Sequence, residues 1–432
     1  MVMVPSSSPW WTRWLRRYLV GAEQDFTFHP VRDVQLPQIK SAGLYLHVPF
    51  CKSLCPYCPY NKIAYADSWV EPYVQAVLRE IEEVYRRLGS IDITSIYIGG
   101  GTPTHIADKL GTILEYTAYR FRLTGPVCIE TNPMDLESGF VTAEQLKSMG
   151  IKRISLGVQS FDERCLSLLG RKYSAQILPP TLRSLVQAGF ETVNVDLMFA
   201  LPDQKEEDVL TDIAKAISLG VDQVTLYPLF TFPYTTVGKY RDIKKVKMPD
   251  LTVRRRMYKH IHDYFLQKGW QRVSVWGFAR EQAPRYSSVT RDEYIGLGPG
   301  AGSHLPGLFY INTFSVEAYI QAMKQKDRLP VAMSLRLNDS LSFYHWLYWR
   351  LYDTAIPMAP LEKQREKGDR KPLDLVRFLQ WVKWAEVKED FAILTEPGAF
   401  WLHLMQNYFA LDYVNRIWST AGETPWPEAV NI

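Results

Sequence analysis

A chain of 432 residues, 47% hydrophobic and 22% charged, is long enough for one large domain with a substantial core and a smaller second unit. A formal net charge of +4 is too small to point to nucleic acid. Five cysteines, three of them at 51, 55 and 58, do not make the evenly spread framework of a small secreted protein; clustered thiols in a long chain point to a metal site in a reducing compartment. With no apolar run long enough to cross a bilayer, the protein is expected in the cytoplasm.

Residues 1–40 read as an N-terminal arm. Met1–Gly21 lacks the clean apolar centre of a secretory signal, because arginines interrupt its aromatic stretch. Trp10, Trp11, Trp14, Leu15, Tyr18 and Leu19 share one side of a helix and Arg13, Arg16 and Arg17 the other. That pattern suits a membrane interface; docking of the helix on its own domain, or near its active site, is the preferred reading.

From Gly43 to Tyr227 short β-rich runs alternate with helical patterns. Strands are expected at Leu44–Val48, Ser95–Ile98, Val127–Thr131, Arg153–Leu156, Thr192–Leu197 and Gln223–Leu226. Helices are expected at Trp69–Leu88, Lys109–Phe121, Ala143–Met149, Pro179–Ala188 and Glu206–Leu219, with Gly150, Gly189 and Gly220 placed as C-terminal caps. Six βα units imply parallel strands with right-handed crossovers. The fold class is therefore α/β, a partial six-unit barrel, with ligands at the C-terminal ends of its strands. The barrel and its extension are placed at 41–305 and a smaller, mainly helical C-terminal domain at 306–432. Beyond Pro228 come an aromatic loop, a basic stretch at Lys239–Lys247, a helix at Met257–Lys268, a strand at Val273–Trp276 and a glycine-rich turn at Tyr294–Ser303. Helices rich in tryptophan and phenylalanine fill Ser334–Ile432, interrupted by a charged stretch at Lys363–Lys371 that reads as an exposed loop.

The chemistry concentrates at Cys51-Lys-Ser-Leu-Cys55-Pro-Tyr-Cys58, directly after the first strand. Three thiolates on one loop can wrap a soft-metal centre, zinc or iron–sulfur. A structural zinc needs four protein ligands, and His47 would have to supply the fourth from within a strand. A [4Fe–4S] cubane with three cysteines instead leaves one iron open to a cofactor or substrate. At the end of the second strand stands Gly99-Gly100-Gly101-Thr102-Pro103-Thr104, where backbone can approach a ligand closely. Glu130 and Asp196 end apolar strands, where a carboxylate is costly without a partner.

The stretch from Tyr45-Leu-His-Val-Pro-Phe-Cys51 through Asn61-Lys62 resembles the radical S-adenosylmethionine (SAM) family of oxygen-independent coproporphyrinogen III dehydrogenase, whose relatives include the haem chaperone and haem-degrading and methylating enzymes. Matches continue at Gly99–Thr104, Glu130–Pro133, Ser155–Phe161, Asn194–Asp196 with Leu201-Pro202, and Gly296–Gly302, so the resemblance runs from about Tyr45 to about Leu305. It implies that Cys51, Cys55 and Cys58 ligate the [4Fe–4S] cluster and that Tyr45 and Tyr57 line the SAM pocket. It further implies that Gly100, Gly101 and Thr102 hold the methionyl end of SAM, while Glu130, Gln159, Arg171 and Asp196 complete the pocket.

The expected activity is reductive cleavage of SAM to a 5′-deoxyadenosyl radical that modifies a small organic or tetrapyrrole-like substrate, as an oxidoreductase or methyltransferase. Flavodoxin or ferredoxin would be the reductant. Members of the superfamily can bind a second SAM, and no local motif decides that here. The dehydrogenase carries a further cysteine two residues after the third ligand, where this chain has Tyr60, and its N-terminal segment is not recognisable; the haem chaperone branch has an aromatic at that position. The alternatives are a haem carrier of the same family that leaves its ligand unchanged, and a zinc protein. Cys128 and Cys165 read as buried small hydrophobes. Trp276, Phe230, Phe232 and Tyr234 could floor a flat substrate pocket as readily as they could fill a core.

Overall fold

Six apolar runs become six parallel strands laid side by side in chain order: β1 (Ser41–Val48), β2 (Asp92–Gly100), β3 (Val127–Thr131), β4 (Ile151–Gln159), β5 (Thr192–Phe199) and β6 (Gln223–Pro228). The structure, a computed structural model, describes residues 10–21, 24–230, 232, 235–236, 248–287 and 292–432, without the side chains of residues 11, 411 and 412. Each expected strand lies within its observed counterpart. The two edges of the set do not meet: β1 pairs in parallel with Tyr294–Leu297, and β6 antiparallel with Gly277–Arg280. The barrel is thus partial, as the six units imply.

Helices return the chain between the strands. Asp67–Leu88 shows how: Val70, Val74, Val77, Ile81 and Val84 fall on one buried side, and Gly89 ends the helix with φ +72°. Fully burying one such aliphatic side chain stabilises the fold by roughly 1.5–3 kcal/mol, which is why the spacing dictates the face that packs. Ala143–Ser148 begins with a capping box between Thr142 and Gln145. Strands β1–β6 are buried along nearly their whole length, as expected of a parallel sheet covered on both faces.

The sheet does not stop at the parallel set. It continues from Tyr294–Leu297 through Gly302–Leu305, Leu308–Asn312 and Val331–Arg336 to Thr27–Pro30 and Val430–Asn431, so the two ends of the chain pair with each other. Three local expectations change. Residues 273–276 are not a strand but the tip of a hairpin between Trp270–Arg272 and Gly277–Arg280, where Val275 and Trp276 drop into the core from the turn. Tyr294–Ser303 is a strand, a turn and the start of a second strand. Lys363–Lys371 is largely exposed, but it spans the last turn of helix Met358–Glu366 and the first residue of helix Lys371–Trp381. Lys239–Lys247 and Tyr234 lie outside the described residues.

The N-terminal helix, Trp10–Val20, packs on helix Asp339–Tyr352. Thr12 and Val20 are buried there, Arg16 donates to the carbonyl of Phe409 at 3.3 Å, and Lys371 Nζ donates to the carbonyl of Tyr18 at 2.9 Å. Its expected apolar side is split: Leu15 and Leu19 are half-buried, whereas Trp10, Trp14 and Tyr18 face outward.

Candidate active site

The cysteine loop leaves the C-terminal end of β1 and is stapled at its base. Phe50–Cys51 pairs in parallel with Ile63–Ala64, and the Tyr65 N–H donates to the Cys51 carbonyl at 2.9 Å. Between these ends the chain turns at Cys55–Cys58, and Lys62 Nζ donates to the Cys58 carbonyl at 2.7 Å. Cys51 is buried and the other two are half-buried. Burial pushes the Cys51 thiol up to about 12 and raises that of Cys58, so a metal must displace their protons. A second support comes from below. The Lys52 N–H donates to His105 Nε2 at 3.0 Å, and His105 Nδ1 lies 2.8 Å from Oδ2 of the buried Asp135. Thr104 Oγ1 also donates to that oxygen, at 2.6 Å.

His47 is locked elsewhere. Its Nε2 donates to the Asn61 carbonyl, so its Nδ1 accepts from the Tyr45 hydroxyl, both at 2.8 Å. Burial lowers its pKa to about 4. With both ring nitrogens engaged, His47 does not complete a zinc site. Asn61 is held in turn by donating to the carbonyls of Pro299 and Phe314. The glycine motif at 296–302 makes this contact close: a Cβ at Gly300 (φ +79°) would sit 2.9 Å from the Asn61 amide nitrogen. That motif thus braces the exit of the cysteine loop.

The glycines after β2 serve the same packing. A Cβ on Gly101 would lie 2.6 Å from the Phe50 carbonyl oxygen, and one on Gly100 (φ +116°) 2.7 Å from the His47 ring. The N–H groups are already used: Gly101 donates to Val48, Thr102 to Phe50, and Gly100 to Glu130. What this turn can offer an ammonium group is therefore carbonyl oxygen and the Thr102 hydroxyl, which stands 3.9 Å from Cys51 Sγ.

Two carboxylates end β3 and lie within β5. Glu130 accepts from the Tyr97 hydroxyl and from Gly100 N–H; burial first, and Asp196 among the lesser causes, lift it to about 7. Asp196 accepts from Ser155 at 3.1 Å and Asn194 at 3.0 Å, and burial lifts it to about 6. Arg171 donates to the Tyr57 hydroxyl at 2.9 Å while its Nε has no hydrogen-bond partner among the described residues. Gln159 closes β4 at φ +69°. Gly157 leaves room for both side chains, since a Cβ there would meet Gln159 Nε2 at 3.0 Å and an Arg171 amine at 3.6 Å.

Eleven of the twelve expected site residues line one cavity of about 480 Å³: Cys51, Cys55, Cys58, Tyr57, Gly100, Gly101, Thr102, Glu130, Gln159, Arg171 and Asp196. Tyr45 is not among the lining residues; its ring stacks on Tyr97 at 5.9 Å and its hydroxyl donates to His47. Cys128 is buried beside Tyr97 and Tyr286, and Cys165 among Leu169, Met198 and Leu201, in a cluster that packs against Tyr57 of the loop.

Of the roof, Phe230, Phe232 and Trp276 were candidates in the sequence, and the members from the C-terminal helices were not foreseen. Phe230, Phe232 and Trp276 line the cavity, joined by Tyr348, Trp349 and Tyr352 from helix Asp339–Tyr352 and by His403 from helix Glu396–Asp412. The Trp276 indole donates to His403 Nε2 at 3.1 Å, leaving Nδ1 to donate to Gln406 at 3.3 Å. Burial lowers the His403 pKa to about 4, keeping it neutral. Indole, aryl and imidazole carry no local sequence signature for such a role.

The profile of the Radical SAM superfamily matches residues 45–216. The heme chaperone HemW of Escherichia coli K12 is 30% identical over 276 residues, 62% of this chain and 70% of that protein. The chain belongs to the radical SAM superfamily, in its coproporphyrinogen III oxidase-like, haem chaperone-like family. Anaerobilin synthase of Escherichia coli O157:H7 is 26% identical over 371 residues, 83% of this chain and 81% of that protein. Coproporphyrinogen III oxidase (HemN) of Escherichia coli shares the fold at a TM-score of 0.73 and 20% identity, covering 94% of this chain and 99% of its own.

A [4Fe–4S] cluster and SAM are the cofactors of this radical SAM family. The residues present fit them: three thiols from one loop, His47 committed elsewhere, and one chamber that these thiols share with Glu130, Gln159, Arg171 and Asp196.

Proposed function

We propose that this radical SAM protein is an enzyme that reductively cleaves SAM and modifies a flat, tetrapyrrole-like substrate. One chamber joins the three cysteines, a ring of buried polar groups and an aromatic roof, and that juxtaposition carries the reading. When bound, the cluster and SAM supply a 5′-deoxyadenosyl radical, at the cost of one electron from a flavodoxin- or ferredoxin-type donor. The chain's own part is to orient and to exclude water. In this reading Glu130 and Asp196 accept hydroxyls or an amine, Arg171 and Gln159 meet carboxylate or ribose, and Thr102 with the neighbouring carbonyls takes the ammonium group. The aromatic walls stack on a planar substrate and keep solvent from a radical.

The named relatives keep a second reading open: a haem carrier, as the printed name of HemW suggests for that protein. One observation favours chemistry: the cavity imidazole of His403 is committed to Trp276 and Gln406 instead of facing a haem iron.

The test is anaerobic reconstitution with iron and sulfide, then dithionite and SAM, with 5′-deoxyadenosine quantified with and without added porphyrins. Wild type is expected to form it and Cys51→Ala, Cys55→Ala and Cys58→Ala to lose it. Product undiminished in the triple substitution would refute the reading. Stoichiometric haem binding with no SAM consumption in the presence of haem or porphyrin would assign the carrier role instead.

A further inference from the structure

Two helices outside the chamber share an uncovered face. On the N-terminal helix Trp10, Trp14 and Tyr18 are 76%, 61% and 53% exposed, spaced four residues apart, with Trp14 and Tyr18 stacked at 5.5 Å. Exposed Arg13 and Arg17 flank them. Helix Lys371–Trp381 adjoins through its first residue: Lys371 Nζ reaches the carbonyls of Tyr18 and Leu19 and lies 5.0 Å from the centre of the Tyr18 ring. Seven residues on, about 10 Å along the same side of that helix, Phe378 is 51% exposed, and Trp381 next to it is 79% exposed. Where the two helices meet lies an open hollow of about 490 Å³, lined by Leu19, Val20 and the turn carrying Lys367, Arg370 and Lys371. Its two acids are occupied: Asp369 accepts from Tyr344, and Asp374 pairs with Arg377 at 3.1 Å. Lys367 and Arg370 are exposed and have no carboxylate partner among the described residues.

We infer that this face docks the protein reversibly on an anionic lipid bilayer. Tryptophan and tyrosine rings are suited to the headgroup–acyl boundary, where one edge is apolar and the other wet. Arginines and lysines beside them meet lipid phosphates, and the hollow presents Lys367 and Arg370 where a headgroup would sit. No helix among the described residues is long and apolar enough to cross the membrane, so contact is from one side. The location has a use. The N-terminal helix rests on Asp339–Tyr352, and its Arg16 holds Phe409 of Glu396–Asp412. Those two helices carry Tyr348, Trp349, Tyr352 and His403 of the roof. A membrane bound here lies behind the chamber that would take a sparingly soluble, flat ligand. The surface stands apart from which reaction the chamber performs.

Vesicle flotation of the full chain tests this, with phosphatidylcholine alone and with about 30% phosphatidylglycerol added. Wild type is expected to float with the anionic vesicles only, and to be released as ionic strength rises towards about 1 M. W10A/W14A/Y18A is expected to lower the bound fraction about ten-fold or more, with an unchanged urea midpoint because all three side chains are exposed. K367E/R370E, in a surface turn, is expected to weaken binding likewise without touching a helix interior. Three results would overturn the inference: no flotation with anionic vesicles, flotation indifferent to both variants, or a concentration-dependent dimer that the aromatic variant abolishes. The last would assign the face to a second copy of this chain.

Discussion

The Lys52 N–H, one residue after the first cysteine, donates to Nε2 of His105 at 3.0 Å. His105 is buried within the helical turn Pro103–Ile106 that follows the glycine run, against Asp135. The imidazole therefore transmits the position of two βα units to the metal loop. Partners of this kind, one step removed from a metal, commonly change affinity 10–100-fold. His105→Ala is expected to reduce iron retention after reconstitution by about ten-fold, measured as iron and acid-labile sulfide per chain during chelator challenge. Retention equal to wild type would remove His105 from the support of the loop.

Glu130 carries a cost that the proposed contact with SAM explains. Burial lifts it to about 7, whereas an unfolded chain's glutamate titrates at ~4.3. The native state thus holds the proton more tightly. Its contribution to stability is complete below about pH 4 and is lost as pH rises through about 7. Glu130→Gln removes that loss. The variant is expected to be more stable than wild type by about 1–2 kcal/mol at pH 8, and equal to it near pH 4, while SAM affinity of the reconstituted protein falls at least about ten-fold. Urea denaturation at the two pH values and equilibrium dialysis check the two halves separately.

Gly101→Ala places a Cβ 2.6 Å from the Phe50 carbonyl, an atom of backbone that cannot swing away. A destabilisation of about 1–3 kcal/mol is expected, as for other overpacked sites. Gly111, in helix Ala107–Arg120, has nothing within 4 Å of a Cβ placed in the same way. Gly111→Ala is expected to be neutral or to stabilise by up to about 1 kcal/mol. Denaturant midpoints of the pair would separate a packing requirement from a general intolerance of side chains.

Tyr60 lines the cavity beside Cys58, where the dehydrogenase pattern has cysteine. Purified, reconstituted protein is expected not to convert coproporphyrinogen III to protoporphyrinogen. Chromatographic detection of protoporphyrin after anaerobic turnover would show that an aromatic at this position is compatible with that reaction.

What could be read in the chain were the features whose causes are local. Leu44–Val48 and Thr192–Leu197 announce strands by composition alone, and a thiol triad or a carboxylate closing an apolar run is conspicuous because its solvation cost is high. Two kinds of feature were not legible. Trp276 and Val275 look like strand residues because they are buried and bulky, yet they occupy a hairpin tip whose turn is set by Val273 N–H donating to the Gly277 carbonyl. Trp349, Tyr352 and His403 roof the chamber from helices more than a hundred residues beyond β6. Their positions depend on long-range packing, and an aromatic in an amphipathic helix looks the same whether it covers a core or a cavity. Tyr45 is a third case: the motif position says which strand the residue occupies, while the hydrogen bond from its hydroxyl to His47, at i+2, is visible only in the structure.

The floor and the roof of the chamber come from distant parts of the chain: the thiols lie at 51–58 and the last roof residue is Trp418. At ribosomal speeds of about 5–20 residues per second, the stretch between Phe232 and Trp418 takes roughly 10–40 s to emerge. For that interval the cysteine loop lacks the part of its roof that Tyr348, Trp349, Tyr352, His403 and Trp418 supply. Newly made chains are then more open to iron delivery and to oxidation than the finished protein. Yield of intact protein should accordingly depend in part on how quickly cluster donors and oxygen compete during synthesis.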